Sequence, residues 1–172
     1  ADLGISRVSL GAQSFDPAIL DTLGRDHDSA EIIRSVTLLR EAGIENVSID
    51  LIFSVPGQSL DQWEASLEEA MGLLPTHISA YNLTYEEDTV FFERFQQGMY
   101  QEVEDLNADM FLLAHEFLTG RGMRHYETSN YAHPGFESRH NRSYWAGKDY
   151  LGIGPSAVST IEGRRWKNIP DT

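Results

Sequence analysis

The sequence predicts an α/β fold built on a parallel sheet, and three observations carry that prediction. Short apolar runs occur at Arg7–Phe15, Val47–Phe53 and His77–Tyr85. Amphipathic, well-capped segments of helical period follow them. Polar side chains collect towards the ends of the runs, where parallel sheets present them at one rim. Strand–helix alternation at this spacing means parallel strands joined by right-handed crossovers. Three such units cannot close a barrel, which usually takes about eight. A half-barrel alone leaves strand edges unpaired and an apolar inner face wet. The sequence also starts at Ala1, without an initiator Met and about one short loop before a strand. An N-terminal portion lying elsewhere is therefore expected. The expected organisation is the second half of a partial (β/α) TIM-like barrel over residues 1–122, then a loop-rich C-terminal extension over 123–172.

In the first unit, Val8, Leu10 and Ala12 form the inward face of a strand that ends in Gln13-Ser14-Phe15. Asp16-Pro17 reads as N-cap and first helical residue, with Gly24 as the stop. Asp28 with Glu31 forms a capping box for a helix with the stripe Ile32, Val36 and Leu39, ending at Gly43. The next strand carries Asp50 towards its end and then meets the Pro56-Gly57 turn. A carboxylate there lies near the carboxyl end of a buried strand, where α/β proteins bind ligands. Ser59 with Gln62 caps a helix whose stripe is Leu60, Trp63, Leu67, Met71 and Leu74, stopped by Pro75.

A third strand runs Ile78–Leu83. Thr84–Tyr100 reads as a loop with a short helix, and its Phe91, Phe92 and Phe95 read as core under that loop or as the lining of a groove. Leu106, Met110, Leu113 and Phe117 mark a long helix closed by Gly120 and Gly122. Tyr126 falls on a fourth strand. Beyond it the periodicity fades into a tail holding His133, His140, Tyr144 and Trp145.

A net charge of −14 argues against nucleic acid or an anionic membrane as partner, since both would repel such a surface. No signal peptide and no run long enough to span a bilayer is visible, so a cytoplasmic location is expected. The sequence contains no cysteine, and so offers neither disulfides nor thiolate ligands for zinc or an iron–sulfur cluster.

Read together, several motifs resemble a known family. Ser9-Leu-Gly-Ala-Gln-Ser-Phe15, Leu23-Gly-Arg25, Ile49-Asp-Leu-Ile52 with Pro56-Gly-Gln58, and His77-Ile-Ser-Ala-Tyr81 are similar to the second half of a radical SAM barrel. The nearest branch is the coproporphyrinogen oxidase-like group. Within it, Tyr126-Glu-Thr-Ser-Asn-Tyr-Ala132, Pro134-Gly135, His140-Asn-Arg-Ser-Tyr-Trp145 and Asp149-Tyr-Leu-Gly-Ile-Gly154 resemble the HemW-type heme chaperones. The resemblance covers nearly the whole chain, and the motifs are specific together though weak singly.

The resemblance implies a [4Fe-4S] cluster and S-adenosylmethionine (SAM) in the full-length protein, with the cluster cysteines upstream of Ala1. It implies that Gln13 and Arg25 hold the ribose and methionine carboxylate ends of SAM, that Asp50 contacts the ribose hydroxyls, and that Ile52 lies beside the adenine. An arginine fork suits a carboxylate and an aspartate accepts from adjacent hydroxyls, so the chemistry agrees. Ser54 departs from the family pattern, which has glycine before the Val-Pro pair. Each residue also has a plainer reading: Asp50 fits a helix cap, and Arg25 after Gly24 fits a helix C-terminus.

In the tail, a neutral His140 imidazole suits axial ligation of heme iron, with Tyr144 and Trp145 as flat surface for the macrocycle. The same His equally fits a loop residue bonded to backbone, with Tyr144 and Trp145 packed as core. His27, His115, His125 and His133 read as structural. The leading expectation is a heme-binding chaperone that delivers heme to apo-hemoprotein acceptors and meets membranes only through them. Pairing of two copies through the open sheet edge is left open. The alternative is an oxygen-independent coproporphyrinogen III oxidase, which decarboxylates propionate side chains. An unrelated phosphate-binding TIM barrel is weakened by the lack of a Gly-rich phosphate loop. Without cysteine, this chain alone is expected to perform no radical chemistry.

Overall fold

Local side-chain chemistry starts the helices. The Asp16 carboxylate accepts from the backbone N–H of Ala18 and Ile19 at 2.8 and 3.1 Å, opening α1 (Pro17–Thr22). Burial alone would raise the pKa of Asp16, but the Gln62, Ile19 and Ala18 donors outweigh it and hold the carboxyl below its ordinary value. Reciprocal capping boxes start α2 (Ser29–Glu41) through Asp28 and Glu31, and α3 (Leu60–Gly72) through Ser59 and Gln62. In the computed structural model, which describes residues 4–87, 89–100 and 103–170, the chain forms two compact units that part between Glu137 and Ser138.

The first unit holds a five-stranded sheet in the order β1-β2-β3-β5-β4. Strands β1 (Val8–Gln13), β2 (Val47–Phe53) and β3 (His77–Asn82) are parallel, as the alternation predicted. The remaining helices are α4 (Val90–Gln96) and α5 (Glu104–Gly120). Then β4 (Arg124–Glu127) and β5 (Asn130–Ala132) form a hairpin antiparallel to β3. A wholly parallel sheet is thus corrected at this edge. The link between β4 and β5 is too short for a crossover, which needs a dozen or more residues. Tyr126 lies on β4, as expected. The chain after residue 122 therefore begins by extending the sheet.

One sheet face is dry. Ile49, Leu51 and Phe53 are buried beneath Trp63 and Leu67 of α3 and Met110, Phe117 and Leu118 of α5. The Trp63 indole donates to the Met110 carbonyl at 3.0 Å, which satisfies its polar atom inside the core. Leu74, predicted to extend the α3 stripe, is 75% exposed instead. The helix ends at Gly72, and Leu74 turns left-handed at φ 52°, carrying its side chain away from the core. The Arg40 guanidinium donates to the Leu73 and Leu74 carbonyls freed there.

The second unit has more structure than a loop-rich tail. It contains α6 (Arg139–Trp145), capped by Ser138, and a hairpin of β6 (Val158–Ile161) with β7 (Arg164–Lys167). The hairpin turns at Glu162-Gly163, both at positive φ (50° and 74°), as a tight primed turn requires. Loop 149–157 is tied to it by Tyr150–Thr160 backbone bonds at 2.8 and 2.9 Å, and by Asn168 Nδ2 donating to the Gly154 carbonyl at 2.9 Å. A Cβ on Gly152 would collide with the Val158 carbonyl, so this motif needs glycine for close approach.

Candidate functional site

Side chains alternate across a strand, so Ser48, Asp50 and Ile52 face away from the helices that cover Ile49 and Leu51. Register places Gly11 of β1 and Ser79 of β3 on either side of Asp50, and His77 beside Ser48. Asp50 is mid-strand, not at the strand end as expected, because Leu51, Ile52 and Phe53 go on pairing with Ala80, Tyr81 and Asn82.

Hydroxyls from three strands converge on this carboxylate. Ser79 Oγ donates to Asp50 Oδ1 at 2.7 Å, Ser48 Oγ to Oδ1 at 3.3 Å, and Ser9 Oγ lies 2.9 and 2.8 Å from Oδ1 and Oδ2. The network runs on through His77, whose Nδ1 is 2.7 Å from Ser48 Oγ and whose Nε2 is 2.7 Å from the Tyr126 hydroxyl. Burial, aided by the nearby Arg7 charge, lowers the His77 pKa from 6.5 to about 3, so the ring is neutral at pH 7. A neutral ring has one donor and one acceptor nitrogen. Ser48 gives its proton to Asp50, so it accepts from Nδ1–H. Nε2 then accepts the Tyr126 proton. Every hydrogen bond in the row points towards Asp50.

This network was not foreseen: Ser9, His77 and Ser79 were read only as parts of motifs, and none of them, nor Ser48, was given a role. The available signal was polar residues at every second position in two core strands, Ser48/Asp50 and His77/Ser79, with Ser9 on a third. The four other singled-out histidines behave as structural groups where bonds are seen. His27 Nε2 is 3.0 Å from the Ala12 carbonyl, and His115 Nδ1 is 3.0 Å from His125 Nδ1, whose ring stacks on Tyr131 at 4.2 Å.

Of the four predicted cofactor residues, Asp50 and Ile52 share this open face, Gln13 ends β1 beside it, and Arg25 lies in the α1–α2 loop. Ile52 is half-buried. Gln13 sits at a β1 irregularity with φ 65°, and its amide folds back over Gly11, where a Cβ would come within 2.8 Å of Nε2. Arg25 is exposed in the loop from α1 to α2, and His27 anchors that loop to Ala12 in β1. The missing side chain of Gly11, opposite Asp50, makes room for the Gln13 amide. Among the described residues Ser48 and Ser79 donate to Asp50 Oδ1 and Ser9 shares its single proton between the two oxygens, which leaves Oδ2 a lone pair for a ligand hydroxyl. The Asp50 carboxylate can accept from a ligand hydroxyl, and the exposed Arg25 carries a guanidinium fork that suits a carboxylate.

Beyond the strand ends, a cleft of about 210 Å³ is lined by Ser54, Gln58, Leu83, Tyr85 and Asn107. Ser54 adopts φ 62°, the left-handed conformation that explains the expected glycine. Phe95 stacks on Tyr85 at 4.4 Å and Phe91 on Tyr100 at 5.6 Å, as partly buried rings under the loop.

In the second unit, His140 and Tyr144 lie one turn apart on α6 with ring centroids 4.6 Å apart, edge to face. Tyr144 in turn meets Tyr150 at 4.4 Å. His140 is exposed, Tyr144 44% and Trp145 66% exposed, so neither aromatic is packed as core. Tyr144, Trp145 and Tyr150 line a cleft of about 310 Å³ with Lys148 and Arg165. The three singled-out residues thus come together as an open platform, with an exposed imidazole that makes no hydrogen bond among the described residues at one side.

Residues 1–70 match the model of the radical SAM superfamily. The chain is 41% identical over 170 residues to the heme chaperone HemW of Lactococcus lactis, covering 98% of this chain and 45% of that protein. It is 36% identical to HemW of Bacillus subtilis, with the same coverage. The solved structure of coproporphyrinogen III oxidase HemN, a radical SAM enzyme of Escherichia coli, shares the fold at a TM-score of 0.78 and 23% identity, over 98% of this chain and 42% of that one. The chain spans slightly under half the length of these curated relatives. Its first seventy residues are thus similar to the radical SAM superfamily, and nearly its whole length to the HemW proteins.

Proposed function

We propose that this chain is the heme-handling part of a radical SAM heme chaperone, and that α6 is where heme is held. The observation that carries the proposal is the exposed His140 ring edge-on to Tyr144, beside the exposed Trp145 and the aromatic cleft. His140 offers a nitrogen to heme iron, while Tyr144 and Trp145 offer apolar surface to the macrocycle. Exposure of all three suits a carrier that must release its cargo to apo-hemoproteins. The relatives described as heme chaperones support this reading.

Gln13, Arg25, Asp50 and Ile52 would hold SAM in the full-length protein. When bound, SAM supplies a sulfonium between a ribosyl and an amino-acid end. Asp50 Oδ2 would accept from a ribose hydroxyl, Arg25 would pair with the carboxylate, and Ile52 would shield the base from water. A [4Fe-4S] cluster would be held outside these residues, since the chain has no cysteine. No described helix is long and apolar enough to cross a membrane. A cytoplasmic location, with any membrane contact made by the acceptors, is part of the same proposal.

The test is an absorbance titration of the purified chain with hemin, beside His140→Ala. Saturable binding is expected, with a Soret shift that the variant loses. Equal spectra for both proteins would contradict ligation by His140, and no saturable binding would sink the heme reading.

A further inference from the structure

Charge is divided unevenly along the chain. Ser138–Thr172 carries six of the thirteen Lys and Arg residues but three of the twenty-seven Asp and Glu. The second unit is basic in a strongly acidic protein. Two of its cations, Lys148 and Arg165, line the same cleft as Tyr144, Trp145 and Tyr150. Register explains one of them. Arg165 pairs with Thr160, which bridges to Tyr150, while the neighbouring Arg164 alternates to the other face of the hairpin. Lys148 is brought to the cleft by the turn closing α6, where its N–H donates to the Ser143 carbonyl. Among the described residues, no carboxylate is hydrogen-bonded to either cation. Asp149, the nearest acid in sequence, accepts instead from the Glu162 N–H at 3.0 Å.

Aromatic walls with two uncompensated cations ask for a ligand that is flat and apolar in its body and doubly anionic at its edge. A small inorganic anion would leave the rings without a role, and a neutral ring system would leave the cations unpaired. We infer that Lys148 and Arg165 bind the two propionate carboxylates of a tetrapyrrole whose ring lies against Tyr144 and Trp145. This rests on the heme reading above and adds to it the part of the ligand that sets affinity and orientation. Charge-assisted hydrogen bonds to carboxylates give that grip, and an arginine fork fixes its direction. Because both side chains are exposed, the grip weakens with salt.

The test uses metal-free protoporphyrin IX and its dimethyl ester at matched detergent concentration, followed by quenching of tryptophan fluorescence. Without iron, binding is read independently of His140. The wild-type chain is expected to bind the diacid roughly tenfold more tightly than the diester. The double variant Lys148→Gln, Arg165→Gln should bind both alike, and Arg164→Gln should keep the preference. Equal wild-type affinities for diacid and diester would overturn the inference, as would the same loss in Arg164→Gln. If hemin still gives its His140-dependent Soret shift in that case, only the carboxylate grip falls. If neither hemin nor either porphyrin binds, the heme reading falls with it.

Discussion

Asp50 gathers hydroxyl donors from β1, β2 and β3, and the row behind it ends on the buried His77 and the half-buried Tyr126. His77 is 1% exposed and hydrogen-bonded at both ring nitrogens, so protonating it costs desolvation and breaks the directed row. The unfolded chain takes up this proton near the ordinary 6.5, the native state only near 3. Between those values the unfolded state binds more protons. The contribution to stability is therefore complete above about 6.5 and is lost as pH falls, by up to about 1.4 kcal/mol per pH unit. In urea denaturation, the wild-type chain should lose roughly 2 kcal/mol more between pH 7 and pH 5 than His77→Gln. Equal losses would remove His77 from the account of acid sensitivity.

Elements whose starts rest on local chemistry were legible. Asp28 with Glu31 and Ser59 with Gln62 are neighbours in sequence, and both boxes form where they were read. Short elements joined by distant pairing were not legible. The residues of β5 carry no alternation of their own, and β5 exists because Ile78 and Ser79 pair with Tyr131 and Asn130. At the end of β2, Ser54 holds a left-handed φ of 62° that glycine adopts without strain. Ser54→Gly should stabilise the first unit by about 1 kcal/mol, the relieved strain exceeding the extra unfolded-state entropy. A lowered melting temperature would contradict that. In the second unit, Gly152→Ala forces a Cβ against the Val158 carbonyl. Amide exchange at Tyr150 and Thr160, which close the bridge, should speed by about tenfold or more. Unchanged exchange would mean that the loop yields without loosening the hairpin.

At the scale of the molecule, an acidic unit carries the Asp50 face and a basic unit carries the aromatic platform. The sequence pointed to Asp50, Gln13, Arg25 and Ile52 by motif, and the sheet register then put Asp50 and Ile52 on one face. It did not reveal the serines and His77 around Asp50, because which strands lie side by side decides that neighbourhood. His140, Tyr144 and Trp145 were singled out by their motif, but the helix that carries them was not legible, because seven residues with no buried side chain leave no apolar stripe. The central claim is that heme is held by the second unit. It is tested most directly by amide NMR spectra of the ¹⁵N-labelled chain titrated with gallium(III) protoporphyrin IX, a diamagnetic stand-in for hemin. Shifts concentrated in residues 139–150 and 158–167, with β1, β2 and β3 unmoved, are the predicted result. Shifts centred on Asp50, Ser79 and His77 would contradict it and move the tetrapyrrole to the sheet.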